Sequence, residues 1–174
     1  MKKILALLLA MIMLCSVASA DMVTYNFTTA DAPFQGVWCD ISCGFMAYLP
    51  SNWYILEIPA DMASDGVKGY FGTADGSCVL AVYDNAAMGS NGRLITDYDT
   101  LYAEYTNAYA AYGIVVNHVM LNGQHVLAYD LDYYGESGLL ILDGLGVLYT
   151  IAFAPNSNAD YCAPILFSTQ PIIR

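Results

Sequence analysis

The sequence predicts an α+β protein in which helices pack on the faces of a central antiparallel β-sheet, and three stretches carry that prediction. Residues 113–154 place three turn signals between apolar runs, Asn122-Gly123, Gly135-Glu136-Ser137-Gly138 and Asp143-Gly144-Leu145-Gly146, which is the pattern of a meander. Asn-Gly is the strongest of them, because both residues tolerate the positive φ of a type I′ turn. Residues 97–112 space Tyr98, Tyr102, Tyr105, Tyr109 and Tyr112 by 4, 3, 4 and 3, the period of one helical face. Residues 45–58 read as a hairpin interrupted by Pro50-Ser51-Asn52.

The first twenty residues are expected to be absent from the folded chain. Lys2 and Lys3, the apolar run 4–17 and Ala18-Ser19-Ala20 have the charge, length and small-residue end of a secretory signal peptide, cleaved after Ala20. The apolar run is shorter than the roughly 20 residues a membrane span needs. Leu14 before Cys15 argues against a lipoprotein signal. The expected product is exported, as a bacterial secreted or extracytoplasmic chain with no later span. Without Lys2 and Lys3, three basic residues face sixteen acidic ones, a formal charge of −13. Such a surface repels phosphate backbones and excludes nucleic acid as a partner.

Residues 21–37 are polar, contain Pro33 and read as a lead-in, extended or mobile. Residues 38–174 read as one domain. Its first strands are 45–49 and 53–58, followed by a loop at 60–66 and strands at 67–71 and 78–83. Thr96 is the expected cap of the tyrosine helix, with Asp97 and Asp99 in its first turn where the helix dipole favours negative charge, and Gly113 ends it. Four strands follow at 115–121, 124–133, 139–142 and 147–153, and a short terminal helix at 159–168 accommodates Pro164 only in its first turn.

Four cysteines remain after export, Cys39, Cys43, Cys78 and Cys162, and an exported chain with four cysteines reads as two disulfides. The preferred pairing is Cys39 with Cys43 and Cys78 with Cys162, although the spacing alone leaves three connectivities open. A zinc site at Cys39-x3-Cys43 lacks a second ligand pair.

The segment Phe45-Met46-Ala47-Tyr48-Leu49-Pro50-Ser51-Asn52-Trp53, together with the order of hairpin, strands, helix, meander and terminal helix over residues 43–170, resembles the PsbP-like and DcrB-like α/β/α sandwiches. The resemblance implies an exported domain that binds or docks, with no shared catalytic site. Pro50 would shape a turn and Trp53 would fill the core. The cysteines and the tyrosine helix have no counterpart in that pattern.

Candidate chemistry is sparse. His118 and His125 are the only histidines, and a two-residue Asn122-Gly123 loop sets Met120 opposite His125 and Leu127 opposite His118, so both rings project from one side as diagonal neighbours. They are the only metal candidates. Without a third ligand they read as structural, and no cofactor is expected, with surface Ca²⁺ at the acidic loops as the alternative. Ser137 falls one residue short of a G-x-S-x-G elbow and reads as a turn residue. The tyrosine helix is expected to lay its rings on the sheet; exposed, Tyr98, Tyr102, Tyr105, Tyr109 and Tyr112 would be a binding surface. The function expected is non-catalytic binding or docking at the cell envelope or outside it, to a protein, glycan or small ligand. A secreted hydrolase of glycans or peptides and an adhesion or assembly module are the alternatives.

Overall fold

The computed structural model describes residues 22–172. The expected signal peptide, residues 1–20, lies outside the described residues. Along the chain run β1 (Val23–Tyr25), β2 (Gly36–Ser42), β3 (Phe45–Pro50), β4 (Tyr54–Ile55), α1 (Ala60–Ser64), β5 (Val67–Gly72) and β6 (Val79–Ala86). After them come α2 (Tyr98–Tyr109), β7 (Ile114–Leu121), β8 (Gln124–Leu131), β9 (Glu136–Leu142), β10 (Val147–Ala154), α3 (Cys162–Ser168) and β11 (Gln170–Pro171). Eight strands form one sheet in the order β1-β7-β8-β9-β10-β6-β5-β4, and β11-β3-β2 form a second, smaller one. The fold is mainly sheet, of α+β class. The large sheet is mixed and not purely antiparallel, because β1 runs parallel to β7.

Side chains alternate between the two faces of a strand, so the central strands β7 to β10 each feed two cores. One contains Val119, Val126, Leu139, Ile151, Phe153, Leu80 and Val82, together with Ile165 and Leu166 of α3 and Ile41, Ala47 and Leu49 of the small sheet. The other contains Val116, Leu127, Tyr129, Leu140 and Leu148, together with Leu101 of α2. Helix α2 therefore lies on one face, and α3 with the small sheet on the other. No helix among the described residues is long and apolar enough to cross a membrane.

Several local expectations are corrected by longer-range pairing. The lead-in contributes β1, whose Val23, Thr24 and Tyr25 pair with Val119, Met120 and Leu121. β2 pairs with β3 from Gly36 onward, so strand structure begins before residue 38. The second arm of the expected hairpin is only β4; it pairs with β5, while β3 belongs to the other sheet. The 60–66 loop holds the one-turn helix α1. β8 stops at Leu131, where a 3-10 turn Asp132–Tyr134 ends on left-handed Gly135, and β9 begins earlier than expected, so Ser137 is a strand residue. Asp97 and not Thr96 caps α2, its carboxylate accepting the Thr100 N–H at 2.8 Å. Pro164 does lie in the first turn of α3.

Gly138 shows why one small residue is needed. It pairs with Tyr129, and a Cβ there would stand 2.7 Å from the Tyr129 ring and 2.6 Å from the Ile151 carbonyl oxygen. The Tyr129 ring can cross the neighbouring strand only because that strand has no side chain at this point.

Trp53 stacks on Phe153 with ring centroids 6.0 Å apart, and Phe153 is fully buried in β10. Phe153→Ala empties a site walled by strands from both sheets. The expected cost is about 3–5 kcal/mol, measured as a lower urea midpoint at unchanged slope; a loss below about 1 kcal/mol would contradict the packing described.

Candidate functional site

The sequence-marked residues divide between the two faces of the large sheet. On the α2 face, Tyr98, Tyr105 and Tyr109 pack against the core, whereas Tyr102 and Tyr112 are 37% and 39% exposed. The Tyr98 hydroxyl donates to the His125 carbonyl at 2.7 Å and accepts the Leu142 N–H at 2.9 Å. The β8–β9 ladder ends at Leu127 and Leu140, so the phenol bridges the two strands where their direct pairing stops. Tyr105 stands 6.1 Å from Tyr129, whose hydroxyl donates to Glu136 at 2.6 Å.

Beside this contact lies the histidine pair. Met120 pairs with His125 and Leu127 with His118, so both imidazoles emerge on the α2 face as diagonal neighbours. His118 Nδ1 and His125 Nε2 are 3.2 Å apart, a distance at which one ring donates and the other accepts. Tyr98 covers the His125 ring at a centroid distance of 4.0 Å, and Tyr102 covers His118 at 5.2 Å. Burial, then the neighbouring His118, hold the His125 pKa below its usual value, with Asp99 opposing. Among the described residues, no set of three His, Cys, Asp or Glu side chains is placed to hold a metal ion.

The opposite face carries a different group. Asp130 accepts from the Ser137 hydroxyl at 2.8 Å and from the Asn156 amide at 2.6 Å. Asp130 and Ser137, with Asn117, Leu139, Cys162 and Leu166, line a cavity of about 60 Å³ between the sheet and α3. Burial raises the Cys162 pKa to about 12 against the lowering effect of a Ser137 hydrogen bond, so the sulfur is a thiol at neutral pH and not a nucleophile. His118 and His125 are on the far face, so Ser137 has no imidazole base.

Among the described residues, Cys39, Cys43, Cys78 and Cys162 are all free thiols, so neither expected disulfide is present in this structure. Cys78 and Cys162 are buried in the same core, and the Asn158 amide donates to the Cys78 sulfur at 3.1 Å. Cys39 and Cys43 are half-buried, the first in the middle of β2 and the second in the β2–β3 turn.

Two groups lie outside the sequence-marked residues. The expected strand 124–133 includes Tyr133 and stops before Tyr134, yet a 3-10 turn leaves the two 72% and 57% exposed against Tyr112, at centroid distances of 5.4 and 5.6 Å. Adjacent tyrosines beside Gly135 are the signal that could have marked them. Asn156 lies far from Asp130 in sequence and carried no signal. No protein-family model matches the chain, and no curated protein matches it in sequence.

Two outcomes follow from the buried phenols. Burial raises the pKa of Tyr98, Tyr105 and Tyr129, and the Glu136 carboxylate adds to it for Tyr129. An unfolded tyrosine ionises near pH 10, so above that pH the unfolded chain holds fewer protons than the folded one. The tyrosine contribution is therefore complete below about pH 10 and is lost as pH rises through the folded values, and the urea midpoint should fall steeply between about pH 10 and 12. Phenolate absorbance should rise in two steps, the second with unfolding. A single step near pH 10 at constant midpoint would contradict it. Tyr98→Phe leaves the Leu142 N–H and the His125 carbonyl without their bridge, and should cost about 1–3 kcal/mol by chemical denaturation; no change would show that the bridge adds nothing.

Proposed function

We propose that the chain is a secreted, non-catalytic binding protein of the bacterial cell envelope or exterior, which docks on its partner through exposed tyrosines at one end of α2. The observation that carries this reading is the contact chain Tyr109–Tyr112–Tyr133–Tyr134. Its centroid distances are 6.3 Å from Tyr109 to Tyr112, 5.4 Å from Tyr112 to Tyr133 and 5.0 Å from Tyr133 to Tyr134. Tyrosine presents a rigid apolar body with a polar tip, and its two side-chain torsions make it cheap to order, which is why it is enriched where proteins meet partners. The surrounding acidic chain favours a neutral or cationic partner, a protein or glycan, over a polyanion.

Export rests on the charged start, the apolar run and the Ala18-Ser19-Ala20 motif; with the thiols free, the cysteines add nothing to it. The PsbP-like reading of the fold is supported by α2 on one face of the large sheet and α3 on the other, with the small sheet as an addition. The hydrolase reading is the less favoured, because Ser137 and Asp130 face α3 while the histidines lie under α2.

The test is retention of the mature protein on isolated cell envelopes and on purified wall glycan. Replacing Tyr112, Tyr133 and Tyr134 together with alanine should weaken retention by at least about tenfold, since one interface hot spot alone is worth about 2 kcal/mol. Thermal stability should change little. Equal retention of both proteins, or no export of the native chain, would overturn the proposal.

A further inference from the structure

We infer that His118 and His125 form a binding site for a divalent transition-metal ion, held between His118 Nδ1 and His125 Nε2. Two imidazole nitrogens bound to one zinc ion lie each about 2.0–2.1 Å from it, and a tetrahedral angle between them sets the nitrogens about 3.3 Å apart. The two nitrogens stand 3.2 Å apart already. Their ring centroids are 5.4 Å apart. The same arithmetic puts the centroids of two rings on one ion at about 5 Å, so binding needs only a small closing movement.

Three features organise the pair. The diagonal register of β7 and β8 brings both Cβ atoms to one face. Tyr98 and Tyr102 each lie against one imidazole, which limits the rotations that would part the nitrogens. The rings are half-buried and not enclosed, so an ion can reach them. The strongly acidic chain draws cations to its surface.

Metal binding requires a lone pair on both facing nitrogens. The ring that donates in the empty pair therefore moves its proton to its other nitrogen, and two neutral imidazoles ligate with no net proton release. Two protein ligands leave the remaining positions to water or to a group brought by a partner. Imidazole selects copper, nickel and zinc over calcium and magnesium, with copper(II) the tightest of the series. The site is at the opposite end of α2 from the Tyr112–Tyr134 patch, and it stands whether or not that patch binds a partner.

The test is a titration of the full mature chain with Zn²⁺, a diamagnetic ion, followed by the imidazole nitrogen NMR signals. Both histidines should shift together and saturate at one ion per chain, and Mg²⁺ or Ca²⁺ should move neither. His118→Ala and His125→Ala should each weaken binding by more than about tenfold. Their urea midpoints, measured without metal, keep a folding defect distinct from a lost ligand. Imidazole signals that stay fixed while Zn²⁺ binds at the thiols would overturn the inference, as would a shift of one ring alone or unchanged affinity in a folded single variant.

Discussion

Asn122 is the residue on which the arrangement of the sheet and both its coverings depends. Its backbone takes a φ of 49° in the two-residue turn between β7 and β8, and its N–H donates to the Tyr25 carbonyl at 2.8 Å. Its side-chain oxygen accepts the Phe27 N–H at 2.7 Å, and its amide donates to the Phe167 and Thr169 carbonyls at 3.0 and 2.8 Å. The last carbonyls of a helix have no partner within it, so one residue both turns a hairpin with its backbone and caps α3 with its side-chain amide. A slip of one residue in this hairpin would send every side chain of β7 or β8 to the other face.

Because the register is fixed there, the polar chemistry of the molecule is sorted by face. His118, His125 and Tyr129 point toward α2, and Asp130 and Asn117 point toward α3. The tyrosine helix then acts mainly through its hydroxyls. Tyr98 bridges the ends of two strands, while Tyr129, buried beneath the helix, is tied to Glu136, so phenols supply hydrogen bonds at positions where charged side chains would be costly to bury. Where the sheet ends beyond Leu131, the tyrosines that follow have nothing to pack beneath and turn outward.

Much of the meander was legible, because Asn122-Gly123 sets a hairpin register by local chemistry alone, and the cross-strand partners of both histidines follow from it. The tyrosine period likewise locates α2 and the face it buries. Illegible were the features set at long range. Nothing local to Val23-Thr24-Tyr25 reveals a parallel partner at Val119, and nothing near Phe45 shows that β3 leaves the main sheet to pair with β2 and β11. The outward turn of Tyr133 was hidden for a related reason: the alternation in 124–133 continues past the point where pairing with β7 ends at Ile114. The cysteines illustrate the converse, since their number suggested bonds that only three-dimensional placement can make.

The central claim is that the tyrosine face of α2 lies on the histidine face of the β7–β8 hairpin. Nuclear Overhauser contacts between assigned ring protons test it directly in solution. The account predicts cross-peaks from Tyr98 to His125 and from Tyr102 to His118, together with one between the two imidazoles. Contacts from Ala103 or Asn107 to the hairpin, with free tyrosine rings, would contradict it.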